Sequence, residues 1–464
     1  MKSVLRAVAG TLLIAMLFTL TLWRNDAFPD LSGFTQFIQD TAGRLDTLSQ
    51  IEAGDLVSTQ SRPADEGAQY PDYDLSDEID PELEALIYEG MRTQAAEIDL
   101  EKYKLDHDSL QKLVSAIRFK YPDLFFVDKT FGYSKRNDPH LGEVAVELRP
   151  QYTHTAEQVA AMMQEYEGYI ESIVSKAPAD GTDFDKLLYV HDYFVQNYCY
   201  DFTYTIRDAH TFFKEKTGVC QAYMLALIAV CNEMGIQSIP VTSNRMNHAW
   251  NLVELDGAWY HVDVTWDDTG SYASFTSYAY FLQSDVGIMA IDADRIHETA
   301  EEPDWHCDWA TTRSADDTRY DNAAWRLARS PMVKGADTYY CVVSEANAQN
   351  PTLTGAVYSG TDPAVMSHLF AIEAVWRVPD SNQYDVDCYS GLAIYCNELI
   401  YSTHNSLRAY DMITGQDRQI KLMAEISPRS IYGICGISAA GDLAFVVAAR
   451  PSGADHTIEV YSLK

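Results

Sequence analysis

Residues 210–231 read HTFFKEKTGVCQAYMLALIAVC, a partly polar approach followed by an almost wholly apolar run. The run predicts a helix from about Gly218 to Met234, and Cys220 falls in its first turn. The positive end of a helix dipole favours a thiolate there. Backbone N–H groups in a first turn have no intrahelical acceptor and can bind an oxyanion. The stretch therefore predicts a cysteine nucleophile at the start of a helix.

The other cysteines of this region have simpler interpretations. A cysteine in an apolar helix is most often a small buried hydrophobic residue. Cys231, about three turns further along the same face, fits that description. Cys199 has tyrosine neighbours and no helix start, so we interpret it as structural as well. The prediction for Cys220 therefore depends on a base and on a group that orients the base.

A β-hairpin is predicted downstream, in residues 247–268, which read NHAWNLVELDGAWYHVDVTWDD. Asp256-Gly257 is a strong signal for a two-residue turn. Such a turn pairs Leu255 with Ala258 and sets the register of both strands.

This register brings His248 near Asp263. His248 then faces Thr265 and Asp263 faces Trp250, so His248 and Asp263 become diagonal neighbours on one face of the sheet. A loop one residue longer would put them on opposite faces. An aspartate in an apolar strand is costly unless it is paired, which favours a partner for Asp263. His261 lies on the same face and is a rival base, and a structural role remains open for either histidine.

The order of Cys220, His248 and Asp263 resembles the transglutaminase-like superfamily of papain-type folds. The resemblance is carried by TGVCQAYMLAL at 217–227, by the hairpin segment and by YCYD at 198–201, within about 185–268. It implies that Cys220 is the nucleophile, that His248 acts as base and acid, and that Asp263 orients the imidazole.

Several neighbouring residues keep two interpretations. The side-chain half of an oxyanion hole could come from Tyr200 or Gln221, although packing is the more common role of such a tyrosine. Trp250, Trp259 and Trp266 could line an acyl groove or simply fill the hairpin core, a role Tyr260 should share. Asn251 and Asp267 complete the motif but have no assigned chemistry. The calcium sites of animal transglutaminases have no counterpart that we can match.

The predicted fold class is α+β: a papain/transglutaminase-like core of helices and a short antiparallel sheet, followed by an all-β domain, propeller-like or sandwich. Periodicity predicts helices in segments beginning near 81, 109, 155, 183 and 218, and a strand within 140–152. Asp108 or Ser109 could cap the second of these helices. Glu398-Leu399 and Asp442-Leu443 lie 44 residues apart in similar β segments, and 355–373 resembles a third copy.

Four segments follow from this organisation. Residues 1–24 form a signal anchor or signal peptide, 25–80 an acidic stalk or linker, 81–295 the transglutaminase-like domain and 300–464 the C-terminal β domain. Lys2 and Arg6 precede an apolar run from Ala7 to Trp23, and no small-residue cleavage site follows it. The positive-inside tendency favours an exported catalytic domain, anchored in the cell membrane or secreted if the segment is cleaved.

The composition excludes some partners. The 464 residues carry a net charge of −34, from 68 acidic and 34 basic residues, which argues against nucleic acid. Eight cysteines contain no C-x-x-C, so neither a zinc site nor a dithiol redox site is predicted. We predict no cofactor and no metal. An exported chain could form disulfides, for example Cys388–Cys396 or Cys341–Cys435, but sequence cannot assign them.

The predicted function is thiol acyl chemistry on a protein or peptide substrate. Cys220 would attack an amide carbonyl, and water or an amine would then release the acyl group. Hydrolysis is placed slightly ahead of crosslinking. The alternative is a catalytically inactive binding or scaffolding module at the cell envelope, with envelope contacts made by the β domain.

Overall fold

The computed structural model describes most of the chain from residue 79 onward. The described ranges are 79–244, 246–268, 276–295, 309–345, 354–374, 376–377, 384–385, 390–422, 430–448 and 457–464. The predicted anchor and nearly all of the predicted stalk lie outside these ranges, so both stay predictions. Within the ranges, no helix is both long enough and apolar enough to cross a membrane.

Eight α-helices lie within the described ranges, numbered here in chain order. They are α1 (Pro81–Arg92), α2 (His107–Lys120), α3 (Ala156–Val174), α4 (Asp183–Asn197), α5 (Ala209–Glu215), α6 (Cys220–Glu233), α7 (Val264–Asp267) and α8 (Asp285–Arg295). The five helices predicted from periodicity correspond to α1, α2, α3, α4 and α6. The other three are short or lie outside any strongly periodic segment.

The strands between residues 98 and 283 build three sheets. They are β1 (Ile98–Asp99), β2 (Val127–Asp138), β3 (Gly142–Tyr152), β4 (Cys199–Tyr200), β5 (Thr217–Gly218), β6 (Ser238–Ser243), β7 (His248–Leu255), β8 (Ala258–Val262) and β9 (Phe281–Gln283). Their orders are β1-β3-β2, β4-β5 and β6-β7-β8-β9. β2 was not anticipated from its sequence, because most of its side chains are half-buried or exposed and give little alternation.

From residue 309 onward, the regular elements within the described ranges are strands, apart from one 3₁₀ turn at Ala324–Leu327. The strands are β10 (Val333–Gly335), β11 (Thr338–Ser344), β12 (Gly355–Gly360), β13 (Ser367–Ile372), β14 (Trp376–Arg377), β15 (Tyr384–Asp385), β16 (Leu392–Tyr395), β17 (Glu398–Ser402), β18 (Ser406–Asp411), β19 (Asp417–Leu422), β20 (Ser430–Ile437), β21 (Asp442–Ala448) and β22 (Thr457–Ser462). They form antiparallel meanders in the orders β10-β11-β12-β13, β16-β17-β18-β19 and β20-β21-β22, with β14-β15 as a separate pair.

The predicted β repeat agrees with these meanders in two of its three copies. Glu398 begins β17 and Asp442 begins β21, and each of these strands is second in its sheet. The third copy, 355–373, instead starts at β12, the third strand of its sheet, so it is out of phase by one strand. An alignment based only on apolar residues can match a repeat to the neighbouring strand, because apolar and polar side chains alternate in the same way in every strand of a meander.

Helix capping follows the sequence closely, with one correction. Thr155 and Thr182 each form a capping box, at the starts of α3 and α4. The predicted cap of α2 was Asp108 or Ser109, but Asp106 is the N-cap, and its side chain accepts from the Ser109 N–H at 2.7 Å. Asp106 and Asp108 are both suitable N-cap residues, and the cap at Asp106 makes the helix about half a turn longer than a cap at Asp108 would.

The site-bearing sheet packs against α6. Leu255 pairs with Ala258 and Asn251 with Val262, which is the predicted hairpin register. A buried hydrogen bond of 3.1 Å from Asn251 Nδ2 to the Met224 carbonyl fastens β7 to α6. The helix that begins with Cys220 and the strand that begins with His248 are therefore held together directly.

One hydrophobic core extends across the boundary predicted near residue 300. It contains Cys220 and most of α6, and it also contains Tyr320, Trp325 and Cys341 from the second half of the chain. Separate, smaller clusters fill the spaces between the successive β meanders. The first meander is therefore packed directly on the part of the chain that holds Cys220.

The cysteines of the β region carry thiols where the structure describes them. Cys341 and Cys435 are both thiols and are not bonded to each other, so the pairing suggested for them is wrong. Cys396 is also a thiol, and Cys388 lies outside the described residues.

Candidate active site

Cys220 is the first residue of α6. Val219 is the N-cap in an extended conformation and provides no side-chain cap, so the helix start carries no competing acceptor from its own cap residue. Cys220 is only 2% exposed. A sulfur in this position lies at the positive end of a 14-residue helix and is shielded from bulk water.

Two sets of backbone hydrogen bonds hold the residues just before Cys220. β4 and β5 pair in parallel, with Tyr200 opposite Gly218. The Val219 N–H donates to the Ile206 carbonyl at 2.9 Å. A Cβ at Gly218 would lie 2.7 Å from both the Ala222 Cβ and a Phe212 ring carbon, so only glycine fits.

His248 is placed by the turn before it. Asn247 adopts a φ of +49°, in the left-handed region where asparagine is more common than most residues, and its N–H donates to the Asn244 carbonyl at 3.2 Å. His248 then begins β7 opposite Ser243 and is 5% exposed.

Asp263 reaches His248 in a way that differs from the predicted strand geometry. The hairpin ends at Val262, and Asp263 is the N-cap of the one-turn helix α7 rather than a strand residue. Its Oδ1 accepts from the Trp266 N–H at 3.1 Å, and its Oδ2 is 2.5 Å from His248 Nε2. The predicted proximity is present, but Thr265 lies in α7 and does not face His248 across a sheet.

Two indole rings lie almost parallel to the His248 imidazole. The Trp266 ring centroid is 4.9 Å away with an interplanar angle of 19°, and the Trp250 centroid is 5.4 Å away at 20°. Aromatic faces attract a cation, so this stacking stabilises a protonated imidazole and fixes its plane. Both indoles also pack in one hydrophobic cluster with Trp259, which is the core-filling role considered for the tryptophans, and the acyl-groove role stays a prediction.

His248 is also hydrogen-bonded to Cys220, and this bond completes the line of three groups. Burial by itself would lower the pKa of His248, but the Asp263 carboxylate and the Cys220 sulfur raise that pKa well above its usual range. An imidazolium beside a thiolate is the charge arrangement that such surroundings favour.

His261, the rival base, is occupied elsewhere. It is fully buried, its Nδ1 accepts from the Trp250 indole N–H at 2.9 Å, and its Nε2 is 2.8 Å from Asp285 Oδ1. Both ring nitrogens therefore have fixed partners, and neither partner is a sulfur. His261 supports the indole that stacks on His248.

The other residues considered from the sequence have surroundings typical of packing. Tyr200 is 9% exposed and makes edge contacts with the rings of Phe202 and Tyr204, and Tyr260 lies in the main core. The Cys199 sulfur lies 3.8 Å from the Lys216 carbonyl, and burial raises the pKa of its thiol. Burial likewise raises the pKa of the Cys231 thiol.

One charged cluster was not identified as a site from the sequence. His191 on α4 lies between Asp192 and Asp267, in the core beneath α7. A signal was present: His191 occurs on the apolar face of a helix between Leu188 and Phe194, where a charged side chain requires a partner. The partner could not be named because Asp267 is 76 residues away.

Residues 168–264 match a family model described as the transglutaminase-like superfamily. The match begins within α3 and ends one residue after Asp263, and it confirms the resemblance carried by the sequence motifs. No curated protein matches the chain.

Several solved structures resemble part of the chain, among them the following three. A TGase structure shares 17% identity over 29% of this chain and 44% of its own, with a TM-score of 0.21. A "Putative Cysteine Protease" from Cytophaga hutchinsonii shares 15% over 30% and 63%, with a TM-score of 0.20. A "putative protease" from Parabacteroides distasonis shares 14% over 28% and 35%, with a TM-score of 0.17. This chain therefore spans less than two thirds of each, and TM-scores this low carry no argument about activity.

Proposed function

We propose that this chain, whose residues 168–264 match the transglutaminase-like superfamily, is a thiol acyl-transfer enzyme acting on peptide or protein amide bonds. The observation that supports this most directly is the hydrogen-bonded line from Cys220 through His248 to Asp263, all three of which are buried. A buried charged pair is costly to maintain, so its presence favours a use.

The proposed steps follow from these positions. The Cys220 thiolate attacks the amide carbonyl carbon, a C–S bond forms, and the oxygen becomes an oxyanion beside the first-turn N–H groups of α6. The His248 imidazolium gives its proton to the amide nitrogen, the C–N bond breaks, and the amine leaves. A thioester on Cys220 and a neutral imidazole remain.

The second half of the reaction uses the same imidazole as a base. His248 takes a proton from water or from an incoming amine, whose oxygen or nitrogen attacks the thioester carbonyl. The C–S bond breaks, and Cys220 returns as thiolate beside the imidazolium. Asp263, which accepts from Nε2, keeps the imidazole in one orientation through both halves. We place hydrolysis ahead of amine transfer.

Alkylation rates test the nucleophile. Iodoacetamide should modify Cys220 faster than Cys396, although Cys396 is exposed and Cys220 is buried. In His248→Ala the preference should disappear, because the thiolate loses its counter-ion. Peptide mapping by mass spectrometry measures the extent of alkylation of Cys220 and Cys396 in one sample. Slow modification of Cys220, at or below the rate of Cys396, would favour a binding or scaffolding module instead.

A second assay separates hydrolysis from transfer. The protein is incubated with a glutamine-bearing protein and a fluorescent primary amine, with Cys220→Ala as the control. Ammonia or peptide release without incorporated fluorescence indicates hydrolysis, whereas fluorescence that depends on Cys220 indicates transfer. If neither ammonia or peptide release nor incorporated fluorescence is detected, the enzymatic proposal is contradicted for the substrates supplied.

We extend the proposal to cellular location. An anchor at 1–24 and a stalk at 25–80 would hold the catalytic part, 81–295, outside the cell membrane. A reporter enzyme active only after export, fused after residue 80, should be active and membrane-bound. A soluble reporter outside the cell would indicate cleavage instead.

The division at 295–300 and the role of the β domain are likewise proposals. Hydrophobic clusters lie between the first and second meanders and between the second and third, which supports the proposal that 300–464 is a propeller-like or sandwich domain. We propose that the outer surface of this domain contacts the cell envelope. Sedimentation of the purified full chain with isolated envelope, compared with boiled protein, tests this.

A further inference from the structure

His191 lies in a second charged cluster that the proposed reaction does not use. It is completely buried, its Nδ1 is 3.0 Å from Asp192 Oδ1, and its Nε2 is 3.1 Å from Asp267 Oδ2. Ionised carboxylates only accept hydrogen bonds, so both ring nitrogens carry a proton. The geometry describes an imidazolium held between two carboxylates.

The two carboxylates are satisfied on their other sides as well. Asp192 Oδ2 accepts from the Tyr278 hydroxyl at 2.8 Å. Asp267 Oδ1 accepts from the Ser277 hydroxyl at 2.8 Å and from the Tyr280 N–H at 3.1 Å. A buried polar network that is closed in this way is rigid and selects one arrangement of its members.

This network reaches Asp263 through α7. The helix is one turn long, from Val264 to Asp267, and a single turn is not stable by itself. Asp263 lies at its start, and the Asp267 N–H donates back to the Asp263 carbonyl at 3.1 Å. Asp263 bonds to His248 at one end of the turn, and Asp267 bonds to His191 at the other.

We propose that His191 is a positioning residue for the site: by holding Asp267, its imidazolium fixes the one-turn helix that carries Asp263 against His248. This inference rests on the proposed function of Cys220, because it assigns His191 an effect that passes through Asp263 and His248. His191 does not contact the sulfur and takes no part in proton transfer.

The charges around His191 come from several elements. Asp192 belongs to its own helix, Asp267 to α7 and the Tyr278 hydroxyl to the following loop. Arg326, from the second half of the chain, donates to the carbonyls of that loop, including Tyr278 at 3.0 Å, and its charge acts on Asp267. The Phe281 ring centroid lies 4.7 Å from the His191 ring and excludes water. Burial by itself would lower the pKa of His191, but its two carboxylate partners raise it to about 9.

The test is the pH profile of Cys220 alkylation in His191→Gln. With α7 less well fixed, Asp263 stabilises the His248 imidazolium less, and Cys220 loses its proton only at higher pH. We expect the midpoint of the profile to rise by about one pH unit. We expect the second-order rate at pH 6 to fall about tenfold, a typical result of small misplacement. A purely structural histidine would lower Tm without moving the midpoint.

His210→Gln is the matched control. His210 is also buried, at 3% exposure, and its ring nitrogen is also close to a carboxylate, Glu165, at 3.3 Å, but its ring packs on Phe125 and Tyr169, which do not belong to α7. The His210→Gln substitution should lower Tm and leave the midpoint of the Cys220 alkylation profile unchanged. If His191→Gln behaves in the same way, the inference is wrong.

Asp267→Asn provides a second variant should His191→Gln not fold. It keeps the side-chain shape and removes the charge, so the same upward shift of the midpoint is expected. A folded Asp267→Asn with an unchanged midpoint would also overturn the inference. Failure of the proposed function looks different: the wild-type Cys220 would then react no faster than Cys396, whatever stands at position 191.

Discussion

Two buried histidine–carboxylate sites lie on either side of α7 and have different second partners. His248 bonds Asp263 through one ring nitrogen and is hydrogen-bonded to the Cys220 sulfur as well. His191 bonds a carboxylate through each nitrogen. A thiol can exchange a proton with an imidazole, whereas two ionised carboxylates only hold the proton in place. The second partner, rather than burial, therefore separates the proposed reactive site from the positioning site.

His261 adds a third case. Its Nδ1 accepts from an indole N–H, so its single proton lies on Nε2 facing Asp285. Three buried histidines thus have three hydrogen-bonding patterns, set by a thiol, by carboxylates or by an indole.

Replacing the nucleophile should remove the proposed activity. In Cys220→Ser, amide turnover is expected to fall by at least about 10⁴-fold, because a serine hydroxyl is not ionised by an imidazole poised for a thiol. Turnover is measured as amine release from a peptide substrate. Cys396→Ser removes an exposed thiol and should retain full turnover. Equal losses in both variants would contradict the assignment of Cys220.

Asp263→Asn should reduce kcat by about 10²- to 10⁴-fold. Asparagine caps a helix about as well as aspartate, so α7 should keep its start and Tm should change little. The loss then reports the missing charge beside His248. Steady-state kinetics with thermal unfolding of the same samples checks both points. Wild-type kcat in a folded Asp263→Asn would remove Asp263 from the proposed triad.

The charge of His191 should stabilise the fold in a pH-dependent way. A pKa raised from the usual 6.5 to about 9 means that the folded state binds the proton more tightly than the unfolded chain. The stabilisation, on the order of 3 kcal/mol, is complete below about pH 6.5 and is lost as pH rises through about 9. The difference in unfolding free energy between wild type and His191→Gln should therefore shrink over this window. Denaturant unfolding at several pH values measures this difference in unfolding free energy. If the difference grows as pH rises, the predicted direction of the pH effect is wrong.

The smallest predicted effect concerns the indole stack on His248. Trp266→Leu removes one aromatic face from the imidazolium, worth about 1 kcal/mol, and should slow Cys220 alkylation at neutral pH about fivefold. Trp266→Phe keeps a ring and should recover most of that rate. If leucine and phenylalanine are equivalent at this position, the stack acts only as packing.

Much of the fold could be predicted because its signals are local. Apolar periodicity located α1, α3 and α6, and Thr155 and Thr182, which form capping boxes in the structure, stand directly before two of the helices. The Asp256-Gly257 turn set the hairpin register, which is shared by every pair in β7 and β8. The position of Cys220 at a helix start was also predictable, because the apolar run that forms α6 begins directly after Gly218.

The remaining features could not be predicted because they depend on distant contacts. Strand pairing of β2 needs β3 beside it, and the phase of the β repeat depends on which strands fill the first meander. His191 and Asp267 are separated by 76 residues and individually resemble ordinary polar residues. Arg326 contacts the loop behind α7 from the second half of the chain, across a boundary that composition placed near 300.

The order of residues along the chain was enough to identify those that carry the proposed chemistry: a thiol at a helix start, and a histidine and an aspartate at fixed offsets from a hairpin turn. Local steric and hydrogen-bonding rules act over a few residues, so they can be read directly from the order of the chain. That Asp263 caps a single-turn helix, and that His191 contacts the far end of that turn, became visible only in the folded chain. Those outcomes depend on which side chains meet in the core, and burial then makes each unpaired charge too costly to leave without its partner.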